Sequence, residues 1–137
     1  MEIQELIQIL RERNESVPKP SRLPTIEEVA GAESDLGIVF PPDYRCFLLE
    51  ASDVVYGFRE PGRVLPDLQP YICLRHIANS GWEAGVPTNH FAFCSDNGNY
   101  FTLGEDGFLG FFDIDDATHT STKASFSDWI EEEWLEL

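Results

Sequence analysis

Basic residues are scarce in this chain. Nine lysines and arginines stand against 25 aspartates and glutamates, leaving a formal charge of −16, and Lys19 and Lys123 are the sole lysines. Such a field repels phosphate backbones, which argues against direct nucleic-acid binding, while it attracts basic partners and speeds their encounter. No apolar run approaches the roughly 18 residues of a membrane span. Glu2, Glu5, Glu12 and Glu15 crowd the first fifteen positions, which is not a signal-peptide pattern. With 137 residues, 42% apolar and 12% aromatic, the chain is expected to fold as one acidic, soluble, cytoplasmic domain over residues 1–137.

Catalytic and cofactor motifs are missing as well. Cys46, Cys73 and Cys94 are odd in number and widely spaced, with no C-x-x-C pair. Neither a disulfide framework nor a zinc ribbon follows, and thiols set among hydrophobic neighbours read as reduced and mostly buried. The glycines sit mainly in turns rather than clustered before a helix with a lysine to meet phosphate. No G-x-S-x-G or H-E-x-x-H occurs. Nucleotide, hydrolase and zinc chemistry are set aside on these grounds, and no cofactor and no catalytic residue is expected.

What is present is organised. Ile3, Leu6, Ile7 and Leu10 follow a one-faced helical spacing, and Pro18, Pro20 and Pro24 mark a connector. Thr25 with Glu28 forms a capping box that opens a second helix, which Gly37 stops. Pro41-Pro42 then starts a third helix with Tyr44, Phe47, Leu48 and Ala51 on its inner face. Val54 to Phe58 reads as a short strand, residues 59–70 as loop, and Tyr71 to Trp82 as a helix ended by Gly85-Val86-Pro87.

The period then changes to alternation. Phe91–Cys94, Tyr100–Leu103 and Phe108–Ile114 predict three strands, joined by turns at Asn97-Gly98 and Gly104–Gly107. Residues 116–124 read as polar loop. Phe126, Trp129, Ile130 and Trp134 predict a closing helix, capped around Ser125 and Asp128, with Glu131-Glu132-Glu133 on its wet face. The fold class is α+β: N-terminal helices and a C-terminal helix flanking an antiparallel β-meander.

Candidate functional residues are few. Tested as a calcium loop, the acids from Asp113 fail, because position 5 is Ala117, position 6 Thr118 and position 12 Ala124. A frame begun at Asp96 fails too, since positions 3 and 5 are Gly98 and Tyr100. His90 and Cys94 are spaced to share one strand face, and a Cys–His pair can be nucleophilic. The phenylalanines around Cys94 instead predict an inert core thiol. Trp82, Trp129 and Trp134 read as packing residues, with Trp82 the one placed for exposure. Charge is uneven: residues 1–69 carry 13 acids and 7 bases, a net of −6, and residues 70–137 carry 12 acids and 2 bases, a net of −10. Asp96, Glu105, Asp106, Asp113, Asp115 and Asp116, at turns and strand ends of that acidic half, are the candidate partner contacts; their alternative reading is ordinary solvated loop acids.

The order of motifs carries a resemblance. Leu23-Pro24-Thr25-Ile26-Glu27-Glu28 leads to Glu33-Ser34-Asp35-Leu36-Gly37, then Phe40-Pro41-Pro42-Asp43-Tyr44 and Phe47-Leu48-Leu49. Downstream stand Asp96-Asn97-Gly98-Asn99-Tyr100-Phe101, Phe108-Leu109-Gly110-Phe111-Phe112-Asp113 and Ser125-Phe126-Ser127-Asp128-Trp129-Ile130. Together they resemble the SUKH superfamily in its Smi/Knr branch over about residues 23–136. Phe40 stands where the pattern has Leu, and Ala51-Ser52-Asp53 where it often has Asn-Gly. The resemblance implies helices around an antiparallel sheet. It implies a non-enzymatic role, either as an immunity protein that binds a cognate toxin domain, often a nuclease and then basic at its phosphate-binding cleft, or as an adaptor without a toxin partner. It does not single out the six acids.

Overall fold

The computed structural model describes residues 1–137. Helix α1, Ile3–Arg13, buries Leu6, Ile7 and Leu10, the stripe its spacing predicts. Helix α2, Ile26–Leu36, begins at Thr25, whose hydroxyl accepts from the Glu28 amide while the Glu28 carboxylate accepts from the Thr25 amide. The hydrogen bonds of Arg22 and the Thr25 amide draw the Glu28 carboxyl down to about 2. Gly37 ends α2 at a φ of 69°, where a side chain would be strained.

Helix α3, Pro42–Ala51, starts at the predicted prolines and puts Tyr44 at the centre of the core. The Tyr44 ring packs edge-on against Phe126 at 5.0 Å and lies within 6 Å of Phe91 and Phe93. Asp43 beside it accepts a hydrogen bond from the Ser127 hydroxyl at 2.9 Å, joining the start of α3 to the last helix. Glu33 likewise accepts from the Phe40 amide at 2.7 Å and from Arg45 at 2.6 Å, bracing the bend between α2 and α3. The Pro-Asp-Tyr stretch is therefore a folding device.

The middle of the chain departs from the local pattern. Val54–Phe58 does not join the sheet; Val55 bonds to the segment just after α1, its carbonyl accepting from the Glu15 amide at 2.8 Å and its amide donating to the Asn14 side chain at 2.9 Å. Arg63 pairs in parallel with Cys73, its amide donating to Ile72 at 2.7 Å and its carbonyl accepting from Leu74 at 2.9 Å. That pairing draws Cys73 out as extended chain, so α4 runs Leu74–Ala84 after a short 3₁₀ turn rather than starting at Tyr71.

Four strands, not three, form the sheet: β1 His90–Asp96, β2 Asn99–Gly104, β3 Phe108–Asp113 and β4 Thr118–Ser125, antiparallel and in chain order. The segment expected to be polar loop is β4. Its mostly exposed Thr, Ser and Lys side chains lack an apolar period, yet its backbone completes β3. Phe91, Phe93 and Leu103 face the main core with α1, α3 and the last helix. On the opposite face α4 packs so tightly that a Cβ on Gly81 would lie 2.8 Å from the Ala92 side chain. Helix α5, Phe126–Trp129, is capped by Ser125 and Asp128 as expected, but it continues as a π-helical turn over Ile130–Trp134.

Candidate functional site

The Cys94–His90 pair does not form. A β-bulge between Ala92 and Cys94 places an extra residue opposite β2, so Ala92 pairs with Thr102 and Cys94 with Phe101. The parity of the strand changes there, which sends Cys94 to the main core and leaves His90 with the opposite set. Burial pushes the Cys94 thiol up to about 12.

His90 instead joins a polar cluster. Its Nδ1 lies 3.1 Å from the Thr102 hydroxyl, which lies 2.8 Å from Nε2 of His119, and its own Nε2 is 3.3 Å from the Ser121 hydroxyl. The two rings stand 4.4 Å apart. Gly104 and Gly110 make the room: a Cβ on Gly110 would come within 2.5 Å of His119 Nε2, and one on Gly104 within 2.9 Å of His90 Nε2. Burial lowers the pKa of both histidines; for His90 the Asp106 charge opposes that, and for His119 the neighbouring His90 adds to it. No three His, Cys, Asp or Glu side chains converge in a metal-binding group. The cluster is a hydrogen-bond relay within the sheet.

The six candidate acids divide. A meander alternates ends, so Asp96, Asp113, Asp115 and Asp116 lie at one end of the sheet, and Glu105 and Asp106 at the other, roughly a strand length of 20 Å away. The two turns at the first end are joined where Asn99 accepts from the Ile114 amide at 2.9 Å. Some of these acids serve the fold: Asp113 caps its turn by accepting from the Asp115 amide at 2.9 Å, and Asp106 accepts from the Phe108 amide at 3.0 Å. Asp96 is held by Arg59 at 2.8 Å. Asp115, Asp116 and Glu105 are exposed and make no side-chain ion pair.

A cleft of about 450 Å³ opens beside Asp96. Its floor is the main-core face of β2 and β3, with Phe101, Leu109 and Phe111, and its wall is the last helix, with Trp129, Glu132 and Glu133. Phe101 packs edge-on against Phe111 at 5.2 Å and Trp129 at 5.6 Å. Arg59 closes one end. Its guanidinium donates to Asp96 at 2.8 Å and Glu133 at 3.1 Å, and sits over the rings of Phe58 and Phe101 at 4.8 and 4.9 Å. The volume lies within the ordinary range for binding pockets. Of this lining the sequence singled out Asp96 alone; the rest was missed because its parts come from distant segments. The local signal was Glu131-Glu132-Glu133, read as a solvated helix face; Glu132 and Glu133 are exposed as that reading has it, and they also rim the cleft.

Comparison with known proteins follows the same fold. The family model SUKH_5, described as SMI1-KNR4 cell-wall, matches residues 3–135. A crystal structure of a protein from Pseudomonas syringae pv. tomato is similar over 98% of this chain and 99% of its own, at 33% identity and a TM-score of 0.85. No curated protein matches.

Proposed function

The chain belongs to the SUKH_5 (SMI1-KNR4) family, and from that premise we propose that it is a non-enzymatic binding protein, an immunity protein that neutralises a cognate toxin domain by direct contact. The observation that carries the reading is the family match across nearly the whole chain. Physical chemistry supports it. A nuclease-type toxin presents a basic, phosphate-binding surface, and a partner with a charge of −16 steers toward it and shields it.

The whole of residues 1–137 acts as one domain in this proposal. Asp96, Asp113, Asp115 and Asp116 make the first approach at their shared end of the sheet, while Glu105 and Asp106 add to the longer-range field. The burial of Cys94 and its separation from His90 support the absence of a nucleophile at that strand. The protein works in the cytoplasm, where an intracellular toxin would have to be met; no helix is long and apolar enough to cross a membrane.

The test is co-purification of the tagged protein with the product of the adjacent gene, at low and high salt, together with a growth assay in which that product is expressed. A stoichiometric complex that protects the cells, with an association rate that falls steeply as salt rises, is the expected result. No complex and no toxicity to relieve would overturn the immunity reading in favour of an adaptor.

A further inference from the structure

Resting on the reading of this chain as a protein-binding module, we propose that the cleft between the sheet and the last helix receives an arginine or lysine side chain with an adjacent apolar residue from the partner protein. Three carboxylates, Asp96, Glu132 and Glu133, rim the cleft against the single guanidinium of Arg59. Glu132 is exposed and has no ion pair. Below that rim the floor is aromatic and aliphatic, and Phe101 and Phe111 keep part of their surface in solvent. A cation with an apolar neighbour matches both halves of this lining, and an acidic segment matches neither.

Arg59 shows the mode of recognition within the molecule. Its guanidinium already takes two carboxylates at its edge and an aromatic ring on its face, at one end of the same cleft. An incoming cation would use Glu132, the free share of Glu133, and the Phe111 side of the floor in the same way. Two further features set the place apart. Of the three buried polar atoms without a partner, two, Arg59 Nε and Trp129 Nε1, belong to residues of this lining. The wall is also a π-helical turn, a geometry that recurs at functional sites.

The experiment is an NMR titration of the ¹⁵N-labelled full chain with the capped dipeptide acetyl-Leu-Arg-amide, and with acetyl-Leu-Glu-amide as control. Saturable shifts confined to Phe101, Phe111, the Trp129 indole N–H and residues 130–134, from the arginine peptide alone, are expected. The double variant Glu132→Gln/Glu133→Gln, on exposed side chains, should keep the fold and weaken that binding about tenfold. Equal shifts from both peptides, shifts centred on residues 113–116, or no saturable shift would overturn the proposal. The same variant separates this inference from the wider reading. A toxin complex that forms unchanged with it sinks the cleft and leaves immunity standing, whereas peptide binding without any toxin complex does the reverse.

Discussion

Asp96 at the end of β1 is bonded to Arg59 at 2.8 Å across 37 positions of sequence. The Arg59 side chain is 13% exposed, so the pair is shielded from most of the screening that makes surface ion pairs weak. Removing the arginine leaves Asp96 and Glu133 facing each other without their cation and strips the cover from Phe101. Arg59→Ala is expected to destabilise the protein by about 2 kcal/mol. Urea denaturation of Arg59→Ala, Asp96→Asn and the double variant should give a coupling near 1 kcal/mol; strict additivity would show that the pair contributes nothing.

Gly110→Ala is expected to be among the more damaging small substitutions. The new Cβ would stand 2.5 Å from His119 Nε2 and 2.6 Å from the Thr102 hydroxyl, so the His119 ring must leave and the Thr102 bond must break. A loss of about 2 kcal/mol follows. The measurement is a thermal melt, with the His119 ring signals in NMR reporting its displacement. An unchanged melting temperature would contradict the packing described.

Acid should weaken the fold through the histidine pair. Both rings have folded pKa values below the ordinary 6.5, because burial disfavours the imidazolium. Between those values and 6.5 the unfolded chain binds more protons than the folded one. The pair's contribution is therefore complete above about pH 6.5 and declines as the pH falls through that window. Substituting His90→Gln removes part of this dependence while leaving the carboxylate background in place. The stability difference between the parent and this variant, from urea midpoints at pH 7.5 and 5.5, should move in favour of the variant at the lower pH. A difference that does not change would refute the linkage.

Cys94 should be silent toward thiol reagents in the native state. It is fully buried, and its thiol is pushed up to about 12, so almost no thiolate exists at pH 8. Titration with a chromogenic disulfide should modify this cysteine only as fast as the protein unfolds, and peptide mapping identifies the site. Prompt native labelling would reopen the case for a nucleophile there.

The cap at Ser125 starts the helix that walls the cleft. Its hydroxyl accepts from the Asp128 amide at 3.2 Å while the Asp128 carboxylate accepts from the Ser125 amide at 2.8 Å. Ser125→Ala should cost about 1 kcal/mol in urea denaturation. Hydrogen exchange should rise first in residues 126–134, and exchange rising elsewhere instead would separate the cap from the cleft wall.

Much of this architecture can be read from short stretches of chain, because the forces that set it act within a turn or two. Thr25 and Glu28 cap one another three residues apart, Gly37 supplies the left-handed stop, and Asn97 and Gly98 adopt the positive φ angles that a tight hairpin needs. The family motifs were legible for the same reason, and Asp43 and Tyr44 hold the fold together. By contrast, β4 has no apolar period to betray it; its strand state comes from backbone pairing with β3, decided by neighbours rather than by its own side chains. The bulge before Cys94 changes which face a residue meets, and no spacing rule anticipates an extra residue.

The candidate site divides along the same line. The sequence by itself determined that the protein is acidic and that its second half is the more negative, since net charge is a sum that folding does not alter. Tertiary structure decided which acids stand together. It set Glu105 and Asp106 at the far end of the sheet from Asp113, Asp115 and Asp116, because a meander reverses direction at every strand. It also assembled the cleft, joining Arg59 to Asp96 and to Glu133, the latter 74 positions away. Those contacts form when burial of Phe101 and Trp129 brings distant segments against one sheet, a long-range balance of apolar burial and chain entropy that no local pattern contains.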